Sequence, residues 1–397
     1  MADTGALIAA SYEAKALGIN TLTKVGEAKR ICPEIVLVSG SHGKYAEYSH
    51  RIAEAVERCC PVAHTPSIDE MVCELMGRER EPPRARAIAL EIKQAIRDDV
   101  GETLRCSIGM APNRYLAKIA SDMQKPDGLI GLLPSQLPRA IRHLQLRDLP
   151  GVGARTEVRL NTKGVRTMDD LLALDRQAMH SLWDSVWGDR LWHWLRGAET
   201  GDDGAPVPNE AQKSLGHSHV LGPEFRTDDG AWSVAHKLLH KAAMRLRMEK
   251  FYAGRMAVTI KYSVSRDHQA RLGARKHSSG IQGTGWGLEA RFDEAQDTLT
   301  LLEVLRKVWA KRPQGPEYAK PFFVGVTMRE LTPESEHQET LFGDVDRRGE
   351  LSATMDKLNL KYGHTTLHFA GMLPARETAP TRIAFTQIPV QYGVDYM

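Results

Sequence analysis

The sequence predicts a multidomain chain in which two α/β units flank a smaller all-helical one, and three observations carry that prediction. At 397 residues the chain exceeds what one hydrophobic core organises, roughly 100 to 200 residues per domain. Helix and strand patterns alternate through residues 44–123 and again through 229–329, the order that builds α/β layers. Between them, residues 137–197 read as helix throughout, punctuated by Gly151, Gly153, Gly164 and Gly188.

Taken in order, Tyr45, Tyr48, Ile52, Ala55 and Val56 recur at helical spacing and predict a helix over 44–60 that stops at Pro61. Ile68, Met71, Val72, Cys73 and Leu75 then fit a short, largely buried strand ended by Gly77. Pro82 and Pro83 mark a loop before a helix over 84–99, a strand follows over 106–110, and a helix over 113–123. Beyond the helical unit, Gly201, Gly204, Pro206 and Pro208 give 200–210 the composition of an exposed linker. A helix over 229–250, strands over 255–265 and 287–292, a helix over 298–311 and a strand over 322–329 complete the second unit. The last sixty residues look poorly packed until 366–372.

Composition narrows the function classes. With 42% hydrophobic and 26% charged residues and no run near the ~20 apolar residues that cross a bilayer, the chain reads as a soluble protein. Residues 1–10 lack the basic flank and cleavage pattern of a secretory signal, and Cys32, Cys59, Cys60, Cys73 and Cys106 form no C-x-x-C pair, as in reduced, cytoplasmic proteins. Residues 212–336 hold twenty lysines and arginines against fourteen acids, a local excess that could meet phosphate or simply be a solvated surface.

Three groups of residues could carry chemistry. Asp69 and Glu70 adjoin at a strand start, where neighbouring carboxylates can ligate Mg²⁺, an ion that prefers oxygen donors and shares them with substrate phosphates; taken alone, the pair reads first as solvent-facing acids. Lys125 precedes the turn Pro126-Asp127-Gly128 and could reach a phosphate, as could Tyr12 and Lys15; each alone reads as a surface residue. Leu149-Pro150-Gly151-Val152-Gly153 resembles a helix-hairpin-helix turn whose glycines let backbone N–H groups approach a DNA phosphate without reading sequence; the other reading is a helix–helix turn that merely needs glycine.

SYEAKALG at 11–18, SIDE at 67–70, SIGMAPNRYLAKIASDMQKPDG at 107–128 and LPGVG at 149–153 occur together and in this order, and the chain thereby resembles the Y-family, lesion-bypass DNA polymerases over nearly its whole length. The resemblance implies a right-hand polymerase: fingers at 1–41, an α/β palm at 42–132, a helical thumb with the helix-hairpin-helix at 133–199, a linker at 200–212, an α+β little finger at 213–332 and a tail at 333–397. It implies that Asp69 and Glu70 bind two Mg²⁺ ions, that Tyr12, Lys15 and Lys125 hold the incoming deoxynucleoside triphosphate, and that Gly151, Val152 and Gly153 grip primer-template DNA. KSLGHSHVL at 213–221, MDKLNLKYGHTTLHFAGM at 355–372 and Lys15, where many relatives have arginine, look closer to polymerase V catalytic subunits than to short polymerase IV enzymes. Gln338, Leu341 and Phe342 match the Q-x-x-L-F pattern that docks on a sliding clamp, and damage-response accessory proteins are further expected partners.

One departure stands out. Family members begin with a strand bearing the first metal-binding aspartate, and nothing near Asp3 resembles it. The expectation is an N-terminally truncated palm, from an internal start in the gene model, a truncated gene or a noncatalytic DNA-binding descendant. The implied function is template-dependent translesion synthesis; the alternative is an inactive polymerase serving as an accessory DNA-binding factor. An unrelated repair nuclease would leave the Lys125–Gly128 segment unexplained.

Overall fold

Serine caps start the first helices of the N-terminal unit. Ser11 Oγ accepts from Ala14 N–H ahead of α1 (Tyr12–Ala16), and Ser41 Oγ from Lys44 N–H ahead of α3 (His42–Glu57). Between them lies α2 (Val25–Ile31), whose Val25 and Ala28 are buried, as is Ile19. The chain is described here from a computed structural model, over residues 5–198, 214–264, 283–312, 319–338, 347–363 and 366–378.

After α3, β1 (Val62–Ser67) and β2 (Glu70–Cys73) pair antiparallel, Val62 opposite Cys73 and Ser67 opposite Glu70. The single, largely buried strand expected over 68–75 is therefore one arm of a hairpin, half-buried along its length. Its partner carries almost no apolar alternation and contains Pro66, which a strand tolerates where no neighbour requires that N–H. α4 (Pro82–Asp99) opens on two prolines at positions whose N–H groups have no helical acceptor. Its Ile88, Ile92 and Ile96 pack with Ala55 and Val56 of α3 in one core. β3 (Ile108–Met110), α5 (Arg114–Met123) and β4 (Leu129–Gly131) then form a short parallel βαβ unit with Ile108 opposite Leu129. A Cβ at Gly109 would fall 2.0 Å from the Ala117 carbonyl oxygen, so glycine alone lets β3 lie this close to α5.

The opposite face of α5 belongs to the helical unit. Leu116, Ile119 and Ala120 share a core with Leu149, Leu160, Leu171, Met179 and Leu191, drawn from α6 (Ala154–Thr162), α7 (Met168–Ala173), α8 (Arg176–Trp183), α9 (Val186–Trp194) and the turns between them. Each fully buried leucine contributes about 2 kcal/mol. The expected linker at 200–210 lies outside the described residues.

The C-terminal unit is a four-stranded antiparallel sheet. Its strands are β5 (Ser214–Val220), β6 (Phe251–Val264), β7 (Gly283–Ala295) and β8 (Ala319–Pro333), in the spatial order β5-β8-β6-β7. α10 (Asp228–Met248) and α11 (Thr298–Ala310) supply Leu238, Leu239, Leu246, Leu301 and Leu305 to a core with Met256, Val258, Val324, Val326 and Met328. The poorly packed segment expected after the sheet instead holds α12 (Arg347–Tyr362), with Ser352 and Asn359 buried. Its anchors are polar, which is why apolar periodicity does not reveal it. Arg247 of α10 pairs with Asp356 through two bonds of 2.6 and 2.9 Å, Ser352 Oγ accepts the Thr298 N–H, and the Asn359 amide clasps both backbone groups of Leu367.

Candidate active site and nucleic-acid interface

The structure places Asp69 in the turn of the β1–β2 hairpin, exposed, and Glu70 as the first residue of β2, half-buried. The Ser67 hydroxyl donates to Asp69 Oδ1 at 2.7 Å, which steadies one carboxylate without neutralising it. Glu70 has a cationic partner that sequence inspection passed over: Lys118 of α5, whose Nζ lies 2.7 Å from Glu70 Oε1 and 3.2 Å from Asp122 Oδ2. Burial works to lower the Lys118 pKa, but the two carboxylates outweigh it and hold the ammonium above its usual range. Asp122 in turn pairs with Lys125 at 2.6 Å. Glu70, Lys118, Asp122 and Lys125 thus alternate in sign across the face of the βαβ unit. The sequence shows the local i,i+4 pair of Lys118 with Asp122 but not the Glu70 partner, which packing supplies.

The turn after Lys125 is held from behind. Lys93 of α4, almost buried, donates to Asp127 Oδ1 at 2.7 Å, to the Asp127 carbonyl at 3.0 Å and to the Cys106 carbonyl at 2.6 Å. That hydrogen bond keeps the Asp127 carboxyl below the usual carboxylate range, although slight burial opposes it. Asp127 adopts a left-handed conformation (φ 58°), which short polar side chains tolerate. Lys93 stands among isoleucines on α4 and gives no sequence sign of this role.

Tyr12 and Lys15 come together with each other, the Lys15 ammonium lying 4.6 Å from the Tyr12 ring centroid. Lys125 instead pairs with Asp122, so among the described residues the three expected triphosphate ligands fall into two separate groups.

Leu149–Gly153 faces Lys118 and Asp122 of α5. Gly151 has φ 86°, a conformation that favours glycine, while Gly153 is extended (φ −87°, ψ 177°) and caps α6 with no side chain of its own. The Tyr115 hydroxyl of α5 donates to the Pro150 carbonyl at 3.0 Å, and its ring stacks on Trp194 at 5.2 Å; burial pushes the phenol pKa far up. Asn113 caps α5 by accepting from Leu116 N–H and donates to the Trp194 and Ala198 carbonyls. These bonds set the turn opposite α5 across a cleft of about 440 Å³, lined by Lys118, Asp122, Arg147 and residues 148–153. Of the Q-x-x-L-F segment, Gln338 is described and exposed, and Leu341 and Phe342 lie outside the described residues.

Among the described residues no three His, Cys, Asp or Glu side chains cluster as a metal site, and no helix is long and apolar enough to cross a membrane. An exposed and a half-buried carboxylate on successive residues nevertheless suit a hard divalent cation, which commonly takes one or two protein carboxylates and completes its shell with water and substrate phosphates. The Lys118 ammonium already shows that positive charge is accepted at Glu70.

Comparison with known proteins gives the site its setting. Residues 1–122 match the impB/mucB/samB family, and residues 212–341 match that family's C-terminal domain. The DNA polymerase IV of Moorella thermoacetica is 31% identical over 371 residues, covering 92% of this chain and 86% of the relative. This chain belongs to the Y family of DNA polymerases. The DNA polymerase IV 1 of Bacillus subtilis is 27% identical, covering 96% of this chain and 87% of its own. A solved Y-family DNA polymerase chimera shares the fold, with a TM-score of 0.65 at 22% identity over 83% of this chain and 89% of that one. These relatives support a polymerase IV-like member of the Y family; the polymerase V character expected from 213–221 and 355–372 is not carried by them. Within those two segments the described residues belong to β5 and to the α12 region.

Proposed function

We propose that this Y-family polymerase is a template-dependent DNA polymerase that extends primers across damaged template, with Asp69 and Glu70 of the palm as its cation ligands. The observation that carries the assignment is the sequence of contacts from Glu70, beside the exposed Asp69, through alternating charges to Lys125, with a glycine turn able to take phosphate facing the same helix, all organised by α5. In this reading residues 5–41 are fingers, the hairpin and βαβ unit are palm, the helical unit is thumb and the C-terminal sheet is little finger. Lys125, released from Asp122, binds the triphosphate tail, and Tyr12 and Lys15 approach it from the fingers. Val152 and the N–H groups at Gly151 and Gly153 hold a duplex phosphate. Two Mg²⁺ ions, when bound, would lower the pKa of the primer 3′-hydroxyl and stabilise the leaving pyrophosphate. The protein's part is to place the carboxylates and to hold phosphate and duplex in line.

Primer extension by the full chain with Mg²⁺ and four deoxynucleotides, on intact and lesion-bearing templates, tests this. Asp69→Ala should abolish nucleotide addition and leave primer-template binding within about two-fold, since a carboxylate at a cation site contributes to transition-state charge rather than duplex grip. Near-normal extension by the variant would overturn the assignment. DNA binding without extension by the unaltered chain would favour an accessory DNA-binding factor. A sliding clamp added to the same assay tests Gln338, Leu341 and Phe342: Leu341→Ala with Phe342→Ala should lose clamp stimulation and keep basal synthesis.

A further inference from the structure

The Glu70–Lys118 pair poses a chemical question that the polymerase reading leaves open. A carboxylate that must take a divalent cation is closed off by an ammonium at 2.7 Å. The same ammonium lines the cleft that faces the Leu149–Gly153 turn. Its helix is fixed on both sides: Gly109 lets β3 lie against the α5 backbone, and Tyr115 ties α5 to Pro150. The Lys118 backbone is therefore held while its side chain remains part-exposed, and a lysine stem has rotatable bonds enough to swing its head within a few ångströms. Arg147, which also lines the cleft, lies 3.8 Å from Glu157.

We infer that Lys118 is an exchangeable counter-ion: it neutralises Glu70 while the cation site is empty, and turns across the cleft to a primer-strand phosphate at the thumb turn when a divalent cation is bound at Glu70. Lys118 is thus a positioning residue that couples cation occupancy to duplex grip. The reason is charge balance. Lys118 neutralises Glu70; a cation at Glu70 makes the ammonium redundant there, and a phosphate held at Gly151–Gly153 offers the released charge a partner. Asp122, which contacts both Lys118 and Lys125, gives the lysine an intermediate resting partner.

The inference rests on Glu70 being a cation ligand, and the experiment separates the two claims. Mn²⁺ alone is titrated into the full chain and followed by electron paramagnetic resonance, with Lys118→Met, Lys118→Arg, Glu70→Gln and the Lys118→Met/Glu70→Gln double variant beside it. Lys118→Met should bind Mn²⁺ about five-fold more tightly, the most that loss of a part-exposed competing charge produces. Lys118→Arg should match the unaltered chain, and the double variant should match Glu70→Gln. Primer-template affinity, measured by fluorescence anisotropy in Mg²⁺ and in chelator, should fall about three-fold in Lys118→Met with Mg²⁺ only, the effect of losing one phosphate contact. Glu70→Gln, which frees the lysine without any cation, should bind DNA in chelator as tightly as the unaltered chain does in Mg²⁺; this arm holds even if Lys118→Met fails to fold. Unchanged or weaker Mn²⁺ binding by a folded Lys118→Met, or equal DNA loss with and without Mg²⁺, overturns the exchange while leaving Glu70 a ligand. Mn²⁺ binding indifferent to Glu70→Gln overturns the ligand assignment itself.

Discussion

Asp356→Ala should destabilise the C-terminal unit by about 3 kcal/mol, and the structure sets that figure. Arg247 and Asp356 side chains are 12% and 17% exposed and joined in a two-point pair, Nε to Oδ2 at 2.6 Å and Nη2 to Oδ1 at 2.9 Å. Removing one member of a buried pair leaves an uncompensated charge, a loss of about 3–5 kcal/mol. Arg247 Nη1 keeps the Gln296 carbonyl at 2.6 Å and Thr298 Oγ1 at 3.3 Å, so the lower end applies. For a unit of this size about 3 kcal/mol corresponds to a fall in Tm of roughly 6–12 °C. Differential scanning calorimetry of the full chain reads this directly. Asp356→Asn, which keeps acceptor geometry without charge, should lose less, and Arg247→Met/Asp356→Leu should recover most of the deficit because no charge is then stranded. A shift under about 2 °C for Asp356→Ala would mean that α12 is not held by this pair.

Two further outcomes follow from the same geometry. Gly153→Ala should leave Tm unchanged, because its backbone is extended and a Cβ there meets nothing within 4 Å, yet weaken primer-template binding about three-fold or more if a phosphate must approach that backbone; unaltered affinity in an anisotropy titration would reject the phosphate grip. Burial holds His240 down to about 3, with His236, Arg247 and His368 adding to it, and holds His217 down to about 4, with Lys241 and Arg245 adding. Both lie below the free value near 6.5, so the unfolded chain binds protons the folded one refuses. Stability is full above pH 6.5 and falls as pH drops toward 4, by roughly 3 kcal/mol for the pair at pH 5.5. Urea denaturation at pH 7.5 and 5.5 measures this, and His217→Gln/His240→Gln should make the profile shallower, leaving the share of His236, which burial likewise holds down to about 4; an equally steep profile in that variant would refute the assignment.

What the sequence discloses depends on how each residue earns its place. Helices with apolar stripes, such as α4 and α11, stand out because burial itself writes the period. β1 and β5 do not: Val62–Ser67 lacks apolar alternation and is defined only by its hairpin partner, Glu70 to Cys73, while Ser214–Val220 is short, polar and defined by a partner distant in sequence, Phe323 to Arg329. α12 is hidden for a related reason, since Arg247, Ser352 and Asn359 hold it by hydrogen bonds that no periodicity records. In the site, Asp69 and Glu70 were visible as adjacent acids and Gly151 as a turn glycine. Lys118 and Lys93 were not, because a lysine's partner is set by which elements pack together, and that information lies in Gly109, Tyr115 and Asn113 rather than in the lysines.

The position of α5 explains why so much of this polymerase's function concentrates in one segment. A helix of ten residues has three usable faces, and here each is committed. One lies on β3, where Gly109 removes the obstructing side chain. A second puts Leu116, Ile119 and Ala120 into the core of the helical unit. The third carries Lys118 and Asp122 toward Glu70 and Lys125. Packing on the first two faces fixes the third, so Lys118, paired with a carboxylate on the hairpin, also lines the cleft that faces a glycine turn about 30 residues later in the chain. A change in packing under α5 would therefore disturb the proposed cation site and the proposed duplex grip together, whereas a change in the hairpin would disturb the carboxylates alone.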